Sequence, residues 1–339
     1  MEVRAKKSLG QHFLCDLRVA ERIVDALSVI SSDPHAASSN LSVISSGPHV
    51  ASSNLSVISS GPHVASSNLS VISSGGEAGV ERSRSVLEIG PGMGVLTQYL
   101  LQREDIDLKA VELDGESVDY LLAHFPGIQG KLLQADFLRL PLERVFSGPF
   151  RIIGNFPYNI SSQIFFKVLD YKDRIPEVVG MVQKEVAERI AEKPGSKTYG
   201  ILSVLLQAWY DIEYLFTVEP GAFAPPPKVR SAVIRLTRNG RTSLGCDDKL
   251  FRQVVKTAFN QRRKTLRNAL KPLLGRLAPQ TQCADNQTLE QNACGENGAG
   301  TLSKSLNDSE LKFTQLLDLR AERLGVEDYV FLTNYIAGA

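Results

Sequence analysis

Glu88-Ile-Gly90-Pro-Gly92-Met-Gly94 continues from the strand read over Ser85–Gly90 (SVLEIG) and leads into the helical stretch Val95–Gln102. Glycines between a strand and a helix let the backbone take positive φ and approach a ligand closely. The next strand, Leu108–Glu112, ends on an acid twenty-two residues after Gly90. A carboxylate there can accept both hydroxyls of a ribose. Strand, glycine loop, helix, strand and terminal acid, in that order, predict a nucleoside-type site at the carboxyl edge of a parallel sheet. The spacing suits a dinucleotide as well as S-adenosylmethionine, and two details favour the latter. Pro91 removes an N–H that a pyrophosphate would want. Asp136, directly after a third strand, is placed to accept from an adenine amino group, although it also suits a helix N-cap.

Outward from this loop, strands and helices alternate. Lys131–Gln134, Arg151–Gly154 and Val178–Val182 read as strands; Glu116–His124, Ser162–Leu169 and Lys184–Ala191 read as helices. Such alternation predicts an α/β, Rossmann-like doubly wound sheet. Ile212–Val218 and Ala232–Thr237 flank a proline-rich turn and read as an antiparallel pair closing that sheet. Upstream, Asp16–Leu27 carries Ala20, Ile23, Val24 and Leu27 at helical spacing, with Asp16 as N-cap. From Asp247 onward the period is helical, so a smaller C-terminal helical domain is expected.

Between these parts lies foreign material. Residues 28–69 hold three tandem copies of SVISS(D/G)PH(A/V)ASSNL, and a fourth begins at Ser70. Each Ser/Asn/Gly/Pro-rich unit offers too few apolar anchors to offset its ordering entropy. The reading is a flexible insertion beside the cofactor entrance. Duplication accounts for the spacing of His35, His49 and His63, so no metal site is expected. A second biased stretch, residues 279–309, reads as another insertion. The expected organisation is a lid and helix over 1–27, the repeat insertion over 28–84, a cofactor-binding catalytic domain over 85–238 and a helical domain over 239–339.

Of the 339 residues, 43% are hydrophobic and 22% charged, as in an ordinary globular protein. The net charge of +1 requires any nucleic-acid face to be local. The four cysteines, Cys15, Cys246, Cys283 and Cys294, lack zinc-knuckle spacing and read as reduced thiols. The first seven residues lead into no apolar core, so no signal peptide is read there. No apolar run approaches the length of a bilayer span. A cytoplasmic protein is expected.

Gly154-Asn155-Phe156-Pro157-Tyr158-Asn159 follows the fourth strand, at the edge where doubly wound sheets bind ligands. An adenine 6-amino group is a poor nucleophile, because its lone pair is delocalised into the ring. An acceptor that draws its N–H bonds out of conjugation frees that lone pair. The side-chain oxygen of Asn155 and the carbonyl of Phe156, held by Pro157, supply such acceptors, and Tyr158 can stack on an extruded base. Catalysis of this kind rests on positioning and electrostatics.

The chain resembles the KsgA-type rRNA adenine dimethyltransferases across nearly its whole length outside the insertions. The resemblance rests on Lys7-Ser-Leu-Gly-Gln-His-Phe-Leu14, the Gly90 loop, Asn155–Tyr158, Val182–Val186, Pro194–Lys197, Phe223–Val233, Asn260–Asn268 and Leu332–Ile336. It implies a class I methyltransferase sheet with S-adenosylmethionine as methyl donor. His12 and Leu14 would close over that donor, Gly90 line it, Glu112 hold its ribose and Asp136 its adenine. Asn155 would touch both donor and target base. Two adjacent adenosines in the 3′-terminal hairpin loop of small-subunit rRNA, within a pre-ribosomal particle, would be the substrate of a monomeric enzyme. Phe156 stands where Leu is commoner in the family, and His12 where Asn is commoner.

Arg262, Arg263, Lys264 and Arg267, with Lys271 beyond, fall in what reads as a helical stretch. There Arg263 and Arg267 would be i,i+4 neighbours while Leu266 and Leu270 face the core. Beside an RNA-modifying site they are expected to contact phosphates. Lys6 and Lys7 add charge near the lid, and Phe223 with Pro225–Pro227 reads as a rigid loop that either borders the target pocket or serves as a structural turn. The alternatives are a resistance-type enzyme acting on large-subunit rRNA, a noncatalytic assembly factor and, remotely, a dinucleotide oxidoreductase.

Overall fold

Short apolar runs, each bounded by turn residues, become the strands of a single large sheet in the computed structural model, which describes residues 6, 10–28, 84–277 and 308–338. Strand β1 (Phe13–Leu14) and helix α1 (Leu17–Asp25) precede the first insertion. After it come β2 (Ser85–Ile89), α2 (Thr97–Leu100), β3 (Asp107–Glu112), α3 (Gly115–His124), β4 (Leu132–Gln134), β5 (Arg151–Asn155) and α4 (Ser161–Asp170). Then follow β6 (Glu177–Gln183), α5 (Lys184–Ala191), α6 (Ile201–Gln207), β7 (Tyr210–Val218), β8 (Phe223–Ala224) and β9 (Ser231–Arg238). The remainder is helical: α7 (Asp248–Asn260), α8 (Leu266–Ala269), α9 (Lys271–Leu277), α10 (Asp308–Leu317) and α11 (Val326–Ala337). The repeats with their histidines, Lys7, Cys283, Cys294 and all but the last two residues of the second insertion lie outside the described residues; those last two, Asp308 and Ser309, open α10.

The large sheet runs β4-β3-β2-β5-β6-β9-β7. Its first five strands are parallel, and β9 pairs antiparallel with both β6 and β7. This is the doubly wound sheet with an antiparallel closing pair expected above. The strand order reverses between β2 and β5, which opens a crevice at their carboxyl ends. Asp16 caps α1 by accepting from the backbone N–H groups of Arg18 (3.0 Å) and Val19 (3.3 Å). Ala20, Ile23, Val24 and Leu27 are buried as their spacing requires. One core lies under α1–α3, through Ile23, Leu100 and Leu121; the other runs continuously from Phe165 and Leu205 to Val254, Leu266 and Leu332. The C-terminal helices therefore share a core with the sheet, and all the described residues belong to one unit. Among them, no helix is long and apolar enough to cross a membrane.

Two local expectations are corrected. The helix after the glycine loop shrinks to Thr97–Leu100, because Gly94 sits at φ +77° and the flanking N–H groups close three-residue turns, such as Tyr99 to Leu96. The basic run is not one helix. α7 ends at Asn260, residues 261–264 form a turn, and Thr265 is extended and bridges to Arg320. The Leu266 N–H is drawn to the Leu319 carbonyl (2.8 Å), which redirects the chain before α8 begins. Arg263 and Arg267 are thus not neighbours on a helix, although Leu266 and Leu270 are buried as expected.

The first insertion departs from the edge of the sheet opposite the crevice, not from beside the cofactor entrance. Ser28 donates its N–H and hydroxyl to Glu177 (3.1 and 2.7 Å), and its carbonyl accepts from Arg151 (2.9 Å). Arg151 and Glu177, each 3% exposed, pair at 3.2 Å. They begin β5 and β6, and Ser85 begins β2 beside β5, so both ends of the insertion meet at the amino ends of neighbouring strands. Breaking a buried pair by removing one partner costs about 3–5 kcal/mol, so this clamp holds Ser28 firmly.

A second buried carboxylate has no such cation. Glu88 accepts from the Thr97 hydroxyl through Oε2 (2.8 Å), while its buried Oε1 has no hydrogen-bond partner. Burial penalises the charged form and pushes the carboxyl up from 4.5 to about 8; the Thr97 bond opposes the shift and the charge of Glu112 adds to it. The folded chain thus keeps a proton that the unfolded chain releases.

Two outcomes follow from these anchors. Replacing residues 29–83 by a linker of about 4–6 residues should leave the melting temperature and methyl transfer near wild type, since strand neighbours lie only about 5 Å apart. A large loss of either quantity in the deletion variant would assign the repeats a structural part. For Glu88, stability is full below its unfolded value of 4.5 and declines as pH rises toward about 8. The melting temperature of the ligand-free protein should fall across that window, and Glu88→Gln should lose that part of the decline. An identical pH profile in both proteins would rule out the protonated state.

Candidate functional site

The crevice at the carboxyl ends is a cleft of about 1190 Å³, its open mouth included. Sites that enclose a nucleoside-sized ligand span roughly 300–1,000 Å³. Four segments meet there: the N-terminal strap Gly10–Leu14, the loop after β2, the ends of β3 and β4, and Asn155–Ile160. Gly90 lies at φ +65°, and a Cβ built on it would meet nothing closer than Pro157 Cδ at 4.0 Å. The space above that backbone is open to a ligand. Gly92 is needed for a different reason: its Cβ would stand 3.1 Å from the Phe13 ring.

Glu112 is buried at the end of β3, and backbone donors fix its carboxylate. Oε2 accepts from the Gly92 N–H (3.0 Å); Oε1 accepts from Leu113 (2.8 Å) and Asp114 (2.9 Å). Burial raises its pKa, and the three N–H bonds act in the opposite sense. A carboxylate has about four acceptor directions. One therefore remains, on Oε2, open toward the cleft that Glu112 lines. Asp136 lines the same cleft and also caps its own turn, accepting from the Leu138 N–H at 2.9 Å. The cap that the sequence allows is thus present, on a turn and not on a helix.

Phe156 determines where its neighbours point. Its N–H donates to the Met181 carbonyl (3.0 Å), and its ring is fully buried, edge-on to Phe165. Gly154 and Gly180 face each other across β5 and β6, and a Cβ on either would stand 3.1 Å and 2.5 Å from that ring. Asn155 donates its side-chain N–H to the His12 carbonyl (3.0 Å). A carbonyl can only accept, so the amide nitrogen must face it, and Oδ1 is left as the acceptor. Tyr158 shares a 2.5 Å hydrogen bond with the buried Ser231 hydroxyl, and its ring lies 5.4 Å from that of His12 at 31°. Burial raises the Tyr158 pKa despite the Ser231 bond, so the phenol stays neutral.

The strap is held from outside the sheet. β1 pairs antiparallel with β8, the Ala222 carbonyl accepts from Cys15 (2.8 Å) and Asp16 (3.3 Å), and His12 Nδ1 donates to the Pro225 carbonyl (2.9 Å). Lys6 bridges Asp114 (2.5 Å) and Glu116 (3.1 Å). The Phe223–Pro227 segment braces this strap and is not among the cleft-lining residues, in keeping with the structural turn of the two readings. His12, Leu14, Gly90, Glu112, Asp136, Asn155, Pro157 and Tyr158 all line the one cleft. Glu88 and Ser231 belong to no motif that marks them for a role. A charged residue inside an apolar strand and a serine at the head of another were the available signals.

The four basic residues stand apart from the cleft lining and divide by their partners. Arg262 donates to the carbonyls of Ser196 and Lys197 and lies 3.7 Å from Glu322. Arg267 forks onto Asp318 at 2.8 and 3.1 Å. Arg263 and Lys264 are exposed on the turn.

A family profile described as ribosomal RNA adenine dimethylase matches residues 64–297. A curated relative from Parabacteroides distasonis, named ribosomal RNA small subunit methyltransferase A, is 55% identical over 82% of this chain and 85% of its own. A relative of the same name from Cytophaga hutchinsonii is 44% identical over 99% of both chains. Among solved structures, a dimethyladenosine transferase from Plasmodium falciparum shares the fold, with a TM-score of 0.58 and 23% identity over 75% of this chain and 90% of its own. A glycine loop, a backbone-held acid and an Asn-Phe-Pro-Tyr turn around one cleft are thus matched by likeness along most of the chain, which belongs to the ribosomal RNA adenine dimethylase family.

Proposed function

We propose that this chain dimethylates the 6-amino groups of two adjacent adenosines in the 3′-terminal hairpin loop of small-subunit rRNA, with S-adenosylmethionine as donor and a pre-ribosomal particle as the presented substrate. The observation that carries the chemistry is the fixed amide of Asn155: its nitrogen is spent on the His12 carbonyl, so its oxygen faces an incoming N–H. The residues fit the donor. Open space above Gly90 admits it, Oε2 of Glu112 has room for a ribose hydroxyl, and Asp136 suits an adenine amino group. When bound, S-adenosylmethionine supplies a methyl group carried on a sulfonium centre.

The protein's own contribution is orientation. Asn155 Oδ1 and the Phe156 carbonyl accept from the adenine N–H groups, which draws nitrogen lone-pair density out of the ring. Tyr158 offers its ring as a stacking platform for the extruded base. A once-methylated amine keeps one N–H, so one acceptor suffices in the second round. Because Phe156 is locked on its glycine seat, these groups need no rearrangement as the base arrives.

Affinity for RNA is assigned to charge outside the cleft. Arg263 and Lys264 are the phosphate contacts in this reading, while Arg262 and Arg267 hold the turn in shape through their internal partners.

Single-turnover methylation of immature small subunits tests the chemistry. Asn155→Ala should keep the fold and most rRNA affinity but slow transfer on the order of a hundredfold, as loss of a positioned polar group does. Tyr158→Ala should lose stacking worth roughly 1–3 kcal/mol, and Tyr158→Phe, which keeps the ring, should be the milder of the two. A near-normal rate for Asn155→Ala would remove the central residue of the mechanism. For RNA binding, the Arg263→Ala/Lys264→Ala pair should lower the salt slope by about two, roughly one unit per contact. Arg262→Ala should instead lower the melting temperature. An unchanged slope in the paired variant would make those two side chains a solvated surface.

A further inference from the structure

Ser231 begins β9 and is completely buried. A buried hydroxyl needs a partner to offset its desolvation, and alanine would serve packing alone at such a position. Its partner is the Tyr158 hydroxyl at 2.5 Å. The two side chains come from very different settings. Ser231 is paired on one side with Gln183 of β6 and on the other with Val218 of β7, so its backbone is fixed inside the sheet. Tyr158 lies in the turn after β5 and is only half-buried, with its ring reaching into the cleft.

We propose that Ser231 is a positioning residue for methyl transfer, which fixes the ring axis of Tyr158 through the two hydroxyls and so sets the platform on which the target base stacks. The proposal rests on the stacking role given to Tyr158 above. A tyrosine held at Cβ by its backbone and at the hydroxyl by a rigid strand can turn only about the line between them. The His12 ring, 5.4 Å away, restricts that turn. His12 is in turn bound to the Pro225 carbonyl, six residues before Ser231. Residues 222–231 therefore brace the strap through Ala222 and Pro225 and the tyrosine through Ser231. A misplaced stacking surface leaves binding intact and slows the step that needs alignment.

The test is a double-mutant cycle on single-turnover methylation at saturating donor and small subunits. Ser231→Ala and Tyr158→Phe should each slow transfer about three- to tenfold, the range that follows from losing one buried hydrogen bond. The double variant should be no slower than either single one, and rRNA affinity should not move. Multiplying losses in the double variant would overturn the proposal, because Ser231 would then act on something other than Tyr158. A wild-type rate for Ser231→Ala would overturn it too. Should Ser231→Ala fail to fold, Tyr158→Phe removes the same bond from the half-buried side, and a wild-type rate there is equally fatal. Tyr158→Ala separates the two levels. A severe loss beside a normal Ser231→Ala sinks only the positioning role, whereas a normal Tyr158→Ala sinks the stacking platform itself.

Discussion

An aromatic ring can lie flat across two paired strands only where neither strand has a side chain beneath it. Phe156 meets that condition through Gly154 and Gly180, which face each other in the register of β5 and β6. Everything chemical depends on this seat. With the ring buried, the residues before and after it are turned toward the crevice: Asn155 reaches the strap, and Tyr158 reaches β9. Glycine inside a strand weakens it and often marks a close approach. Here the loss is offset by a fully buried aromatic side chain that makes the end of β5 rigid.

The cofactor side is tied together by a similar economy of parts. The Gly92 N–H that holds Glu112 belongs to the residue on which Phe13 packs. Loop, acid and strap are thereby linked by a 3.0 Å hydrogen bond and by the Phe13 ring standing over Gly92. The strap also leans on Ala222 and Pro225, so the outermost cover of the cleft is secured by the segment that leads into β9. A change at any one of these points is felt at the others, since neighbours in a shared network do not act independently.

Much of this was legible in the sequence because the parallel strands are buried on both faces and read as unbroken apolar runs. β2, β3, β5 and β6 were found within two residues of their ends, and the glycine loop and Asn155–Tyr158 fell where strand order put them. What escaped has a common physical origin in partners far along the chain. The basic run loses its helix to a hydrogen bond with Leu319. Two of its four cations are occupied by Glu322 and Asp318 and by carbonyls near Lys197. Glu112 accepts three N–H bonds from its own loop, which its place at a strand end does not foretell. Glu88 gives no local hint that its proton is retained, as burial on all sides belongs to the fold and not to the segment.

The clamp of Ser28 between Arg151 and Glu177 has a consequence for how this gene can change. Methylation is judged at one edge of the sheet, and the tandem units are attached at the other. Replication slippage that adds or removes a 14-residue unit alters neither the clamp nor the first residues of β2. Because every unit opens on a serine, a change in unit number leaves a serine after Leu27 to occupy the clamp.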